Sequence, residues 1–287
     1  MSVQQQTIAN TIQLSGVGLH AGCEVIAVLL PAPENHGIVF RRTDLKPPVD
    51  LPIKPEYIQE SLLCTKLVHK GAEVATIEHI MAALSAMQID NLLIELNAPE
   101  VPVMDGSAEP FVFALRSAGI KKQAAARRYL KIKKTVRVED DDKYAEFVPH
   151  SATGLKLHIS IDFPHSAIKR TAQEIEFELT PSGFNYQVSR ARTFGAAKDL
   201  DQLHAKKLAL GASLKNAVGL SEDGILNPEG LRYPDEFVRH KLLDCIGDLY
   251  VAGPIRGVFR GHKTGHTLNN RLLRALLANQ SAWEWVE

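Results

Sequence analysis

Asp235-Glu236-Phe237-Val238-Arg239-His240-Lys241-Leu242-Leu243-Asp244-Cys245-Ile246-Gly247-Asp248-Leu249-Tyr250 reads as the strongest helix of the chain. Pro234 and Asp235 open it and Gly253-Pro254 close it. Val238, Leu242, Cys245, Ile246 and Leu249 recur at three-four spacing and form an apolar stripe. His240, Asp244 and Asp248 fall four residues apart and line another face. Such a file admits two readings. One is a solvated helix face whose His–Asp pair is worth a few tenths of a kcal/mol. The other is a pair of metal ligands with a third partner.

Working outward, a second helix is expected from Thr76 to about Met87, with Ile77, Ile80, Met81, Leu84 and Met87 on its buried side and Thr76 as N-cap. Its first turn carries Glu78 and His79. A carboxylate there is favoured by the helix dipole whatever else it does. His79 with His240 and Asp244 would make a set of two imidazoles and one carboxylate with an open position, as catalytic zinc requires. Glu78 would then stand beside the reacting water as a general base. On the other side of the long helix, the only acidic residue between Leu249 and Val286 is Glu284. That stretch holds Arg256, Arg260, Lys263, Arg271, Arg274, His262 and His266, and Gly261 to His266 reads as a loop before a helix near Thr267. A positive field at a helix start suits a phosphate or diphosphate; equally, it suits a basic surface that keeps the protein soluble.

The remaining segments set the class. Strands are expected at Ile8–Leu14, Glu24–Leu30, Gly37–Arg41 and Asn91–Leu96, and a helix from Ala108 to about Ala118. After a polar, Ala-rich stretch from Lys121 to Arg128, strand-like runs return at Leu130–Val138, Tyr144–Val148, Leu155–Ile161 and Glu174–Leu179. Helical patterns follow at about Lys198–Leu210, Glu236–Tyr250 and Leu268–Leu277. Strands then helices, twice over, imply an α+β fold of two domains, 1–124 and 125–287, each a mostly antiparallel sheet with helices on one face. The length of 287 residues agrees with roughly two domains.

Composition narrows the function. The chain is 45% hydrophobic and 23% charged, enough apolar side chain for a folded core. Its 33 basic and 33 acidic residues cancel, against bulk electrostatic binding of nucleic acid. No stretch is long enough to span a membrane, and Met1 to Gln6 lacks the character of a signal peptide, so a cytoplasmic protein is expected. Cys23, Cys64 and Cys245 form no CxxC pair and no disulfide framework. Cys64 by itself reads as a buried thiol and His20 as a turn or core histidine. A zinc amidase acting on some N-acyl sugar and a nucleotide- or RNA-binding module both remain open on these residues alone.

Taken together, several segments are more specific. Ser15-Gly16-Val17-Gly18-Leu19-His20, Thr76-Ile77-Glu78-His79, Asn97-Ala98-Pro99-Glu100, Met104-Asp105-Gly106-Ser107, Ile161-Asp162-Phe163, Ser189 to Gly195, Phe237 to Asp244 and Thr264-Gly265-His266 before Leu268-Asn269-Asn270 occur in this order across nearly the whole chain. The sequence thereby resembles the zinc-dependent UDP-3-O-acyl-N-acetylglucosamine deacetylases, hydrolases of lipid A biosynthesis in Gram-negative bacteria. The resemblance implies helices sandwiched between two sheets and one Zn²⁺ per chain, with Fe²⁺ the other metal that such a ligand set accepts. It implies His79, His240 and Asp244 as metal ligands, Glu78 as base, His266 as acid and Asp248 as its orienting carboxylate. Thr193 is implied at the oxyanion, and Lys241 and Lys263 near the diphosphate. Phe163, Asp162, Leu63, Cys64 and Phe194 are implied to contact substrate, and residues 196–221 to form the acyl-chain passage. Ser166 stands where the family pattern often has proline. An acylated UDP-sugar is the implied small-molecule partner, and a monomer is expected.

Overall fold

The computed structural model describes residues 3–151 and 153–287. Met1 and Ser2, where the reading of the N-terminus begins, lie outside the described residues. The fold is α+β. A five-stranded sheet runs in the order Ile12–Val17, Glu24–Pro31, Leu92–Leu96, Ile38–Arg42, Val49–Pro52. It is antiparallel except where Leu92–Leu96 meets Ile38–Arg42. Alternation decides its faces: Val25, Ala27 and Leu29 are buried while Glu24 and Ile26 are exposed.

A seven-stranded sheet is organised on Ile255–His262, which pairs antiparallel with Lys143–Val148 and parallel with Leu155–Ser160. At its start it also meets Tyr129–Ile132. Val136–Asp140, Glu174–Glu178 and Trp283–Val286 complete the sheet. The helices are Glu78–Ala86 (α1), Glu109–Ala118 (α2), Ser166–Lys169 (α3), Pro181–Gln187 (α4), Leu200–Ala205 (α5), Glu236–Tyr250 (α6) and His266–Ala278 (α7). α2 packs on Ile12–Val17 and on α1, α1 on α6, and α6 and α7 on strands of the larger sheet, so these helices form a layer between the two sheets. One continuous apolar cluster joins both halves of the chain.

Several expectations need correction. The run Ile8–Leu14 divides into Gln4–Ile8 and Ile12–Val17, which belong to different sheets. The polar segment after Ile120 is a strand, Ile120–Ala126, paired antiparallel with Gln4–Ile8; its backbone bonds come from a partner more than a hundred residues away, which composition does not reveal. The run Leu130–Val138 is likewise two strands, Tyr129–Ile132 and Val136–Asp140. Gly261 and His262 are not loop but the end of the central strand Ile255–His262, masked in the sequence by Gly257, Gly261 and two arginines that interrupt the apolar pattern. The expected helix Lys198–Leu210 is reduced to α5, because Lys207 and Ala209 both take φ of 57° and turn the chain back. Thr76 is not the N-cap of α1: Ile77 holds that position, and Thr76 itself is left-handed at φ 57°.

The layer of helices closes at one point. A Cβ on Gly247, in the middle of α6, would lie 2.0 Å from the carbonyl oxygen of Glu78 at the start of α1. Glycine is required there by close approach, and the approach is what brings the first turn of α1 to the polar face of α6. Gly247→Ala should therefore destabilise the protein. The overpacking cost of about 1–3 kcal/mol outweighs the roughly 1 kcal/mol gain in helix propensity. A thermal melt should read this as a fall of several degrees in Tm; an unchanged or raised Tm would show that the two helices separate without cost.

Candidate metal centre and surrounding site

α6 carries His240, Asp244 and Asp248 on successive turns, and all three are buried. α1 is buried along its whole length and brings Glu78 and His79 to the same place. The solvated reading of the His–Asp file is thus excluded: α6 is enclosed on nearly every side. His240 Nε2 lies 3.4 Å and His79 Nε2 3.6 Å from Asp244 Oδ1. The imidazoles meet edge to face, with centroids 5.1 Å apart. His240 Nδ1 donates to the carbonyl of Ala191 at 3.0 Å, which leaves the Nε2 lone pair free to face Asp244.

These three side chains offer ligand atoms within 4.8 Å of one another. Donors at about 2.1 Å from a tetrahedral ion stand about 3.4 Å apart, matching both separations. Asp244 Oδ1 is buried with no hydrogen-bond partner, an orphaned acceptor in the centre of the cluster, whereas Oδ2 accepts from Lys241 Nζ at 2.8 Å. The residues present fit a divalent ion. Burial opposes the charge on Asp244, yet His240 and Lys241 hold its carboxyl well below the usual range. Burial also pushes His240 down to about 4, with Asp244 pulling the other way, so the imidazole is neutral and able to ligate.

The rest of the site is one hydrogen-bonded network. Asp248 accepts from His266 Nδ1 through both oxygens, at 3.1 and 3.0 Å, and from Asn269 Nδ2 at 2.8 Å. Burial would lower the His266 pKa, but the charges of Asp248 and then Glu78 outweigh it and raise it to about 9. Burial raises the Glu78 carboxyl, against the pull of His266 and His79. One end of Glu78 is held by the N–H of Thr65, 3.0 Å from Oε2.

The quoted motifs have structural reasons. Glu100 accepts from the backbone N–H groups of His20 and Ala21 and from the Thr76 hydroxyl at 2.7 Å. It so ties the glycine-rich turn to the strained residue that precedes α1. Gly18 gives this carboxylate room, since a Cβ there would meet Glu100 Oε2 at 2.5 Å. Gly106, at φ 82°, accepts from the Thr193 N–H at 2.9 Å. Arg192, fully buried, clamps Glu236 of α6 with its guanidinium and its own N–H, which fixes Ala191 and Thr193 beside the cluster.

The structure thus brings together Glu78, His79, His240, Lys241, Asp244, Asp248 and His266. Phe194 stands edge-on to His240 with centroids 6.1 Å apart, and Phe163 edge-on to Phe194 at 5.3 Å. Asp162 binds Lys263 at 3.2 Å, and Lys263 also reaches Asp142. Leu63 is half exposed at φ 69°, while Cys64 is buried, its thiol pushed up to about 11 by burial and then by Glu78. The basic C-terminal residues do not gather into one field. Arg256 covers the Tyr129 ring, Arg260 pairs with Glu146, and Arg271 and Arg274 donate to the carbonyls of Glu139 and Ile58. Sequence reasoning gave no role to Thr65, Gly247 or the Arg192–Glu236 pair. Asn269 was visible only as part of a motif.

The sequence matches the family LpxC, UDP-3-O-acyl N-acetylglycosamine deacetylase, over residues 5–278. It is 54% identical over 284 residues to proteins named UDP-3-O-acyl-N-acetylglucosamine deacetylase from Shewanella sp. (strain W3-18-1), Shewanella baltica (strain OS155) and Shewanella denitrificans. Each alignment covers 98% of this chain and 92% of the relative.

The cluster predicts binding of about one divalent ion per chain, as its three donors and open position imply. Elemental analysis of the purified protein should find it, and should find it largely lost in Asp244→Ala and His240→Ala. Full occupancy in either variant would mean that the ion sits elsewhere.

Proposed function

The chain belongs to the LpxC family of UDP-3-O-acyl N-acetylglycosamine deacetylases, and on that premise we propose how its residues divide the work. The protein is a hydrolase that removes the N-acetyl group of UDP-3-O-acyl-N-acetylglucosamine and releases acetate, a step of lipid A biosynthesis. His79, His240 and Asp244 hold the metal, and zinc is the ion that the two imidazoles favour over magnesium, with iron(II) the competitor. The observation that carries this reading is the orphaned Asp244 Oδ1 facing two imidazole nitrogens, within the same buried network as Glu78 and His266.

A zinc ion held there would supply Lewis-acid chemistry, making water easier to deprotonate near neutral pH. Glu78 takes the proton from the attacking water; burial raises its carboxyl and so makes it a stronger base. The Thr193 hydroxyl donates to the oxygen that gains charge on the acetyl carbon, an interaction typically worth about 3–4 kcal/mol. His266 delivers a proton to the departing amine nitrogen, and Asp248 holds the imidazole's orientation and its positive charge. Lys241 and Lys263 lie near the diphosphate, Phe163 packs on uracil, and Asp162, Phe194, Leu63 and Cys64 contact the substrate. Residues 196–221, which include the half-exposed Leu210 and Leu214, form the passage for the acyl chain.

We propose the two halves, 1–124 and 125–287, as two domains, with the strand Ile120–Ala126 crossing their boundary. Among the described residues no helix is long and apolar enough to cross a membrane. We propose that it works in the cytoplasm as a monomer, and the balanced charge argues against bulk electrostatic binding of nucleic acid.

The test is acetate release from UDP-3-O-acyl-N-acetylglucosamine by untreated protein, after chelation, and after zinc or iron(II) is restored. Activity should vanish with chelator and return with metal; activity that survives verified metal removal would sink the assignment. His266→Ala should retain a trace, because a positioned acid contributes about 10²–10⁴-fold. The pH profile gives a sharper check. His266 is protonated below about 9, so its donor function should be lost as pH rises through that value. Asp248→Asn removes the charge that raises it, so the alkaline limb should move to lower pH. An unmoved limb would assign the acid to another group.

A further inference from the structure

Thr65 belongs to none of the motifs that marked the site, yet it is buried and uses three groups there. Its N–H donates to Glu78 Oε2 at 3.0 Å, and its carbonyl accepts from the Ile77 N–H at 3.4 Å. Its hydroxyl donates to Asp248 Oδ1 at 2.5 Å. The first two bonds fasten it to the start of α1 and the third to the far end of α6, so one residue spans the joint between the two helices.

Asp248 needs that third bond. Its Oδ2 is held by Asn269, itself fixed by the Thr264 hydroxyl at 2.6 Å, and by His266. Its Oδ1 is held by Thr65 and by the same shared His266 N–H. The terminal torsion of an aspartate is broad, so a carboxylate gripped on one side only can turn about it. Without the threonine hydroxyl, Oδ1 keeps half of one hydrogen bond in a buried setting, and the imidazole that follows the carboxylate loses its aim. The β-branch matters as well, because it restricts χ1 and points the hydroxyl in one direction.

We infer that Thr65 is a positioning residue that fixes the separation of Glu78 from the Asp248–His266 pair. The inference rests on the proposed roles of Glu78 and His266 as proton acceptor and donor. Both must reach the same reacting amide at once, and a displacement of about 1 Å can cost on the order of 10²-fold in rate.

The experiment compares wild type with Thr65→Val, Thr65→Ser, Thr65→Ala and Asp248→Asn, and with the Thr65→Val/Asp248→Asn pair. Thr65→Val keeps the shape and the backbone bonds but removes the hydroxyl. It should lower kcat about tenfold or more, with KM changed by less than about twofold and metal content intact. Thr65→Ser should recover most of that kcat. In the Asp248→Asn background Thr65→Val should cost little more, because the bond it removes no longer holds a charged partner.

Wild-type kcat in Thr65→Val, equal losses in Val and Ser, a loss confined to KM, or an undiminished loss in the Asp248→Asn background would each overturn the inference. If Thr65→Val does not fold, Thr65→Ala against Thr65→Ser makes the same comparison. The His266 Nδ1 proton resonance, assigned by its absence in His266→Ala, gives a readout free of turnover. It should shift in Thr65→Val and return in Thr65→Ser; an unshifted resonance overturns the inference. A wild-type protein that releases no acetate counts against the reaction instead and leaves this resonance to decide the role of Thr65.

Discussion

The contact between Gly247 and the carbonyl of Glu78 is the constraint on which the site depends. Helices normally keep 8–10 Å between axes because side chains intervene. Here one side chain is missing from α6, and the backbone of α1 enters the gap. That entry sets Glu78 and His79 against His240 and Asp244. Any substituent larger than hydrogen at position 247 acts first on the residue next to a proposed metal ligand.

Close approach also creates an electrostatic problem that the surrounding residues resolve. Glu78, Asp244, Asp248 and His266 crowd a space largely shut off from water, where an unpaired charge is costly. The carboxylates are held: Asp244 by Lys241, Asp248 by His266, Asn269 and Thr65, and Glu78 by the Thr65 N–H. Asp244 Oδ1 has no such partner, and with the two imidazoles beside it, it is where a cation would fit. Farther out, Glu100 and Glu236 each collect backbone N–H groups and one side-chain donor, which holds the loops that frame the site.

Much of this was legible in the sequence, in an uneven way. The long helix was bounded correctly because its stripe is periodic and its stop is a Gly-Pro pair. Spacing alone could not say whether the file His240, Asp244, Asp248 faced water, since a buried polar face and a solvated one share the same period. The quoted motifs, met together, carried the family. The central strand Ile255–His262 was missed because its glycines and arginines break alternation, while its hydrogen bonds come from strands a hundred residues earlier. Thr65 was invisible for a related reason: its partners Glu78 and Asp248 are 13 and 183 residues away, and an isolated threonine signals neither.

The division of the proposed ligand set between His79 on α1 and His240 and Asp244 on α6 bears on how the protein is made. Long-range contacts form slowly, because the intervening chain must first be ordered. During synthesis the N-terminal half emerges with one imidazole of the cluster and none of its carboxylate. A metal pocket made of these three residues cannot form until α6 has been synthesised and packed against α1. Loading of that site with metal would therefore follow the synthesis of α6. An ion bound there would be a cross-link between α1 and α6, adding its binding free energy to that joint.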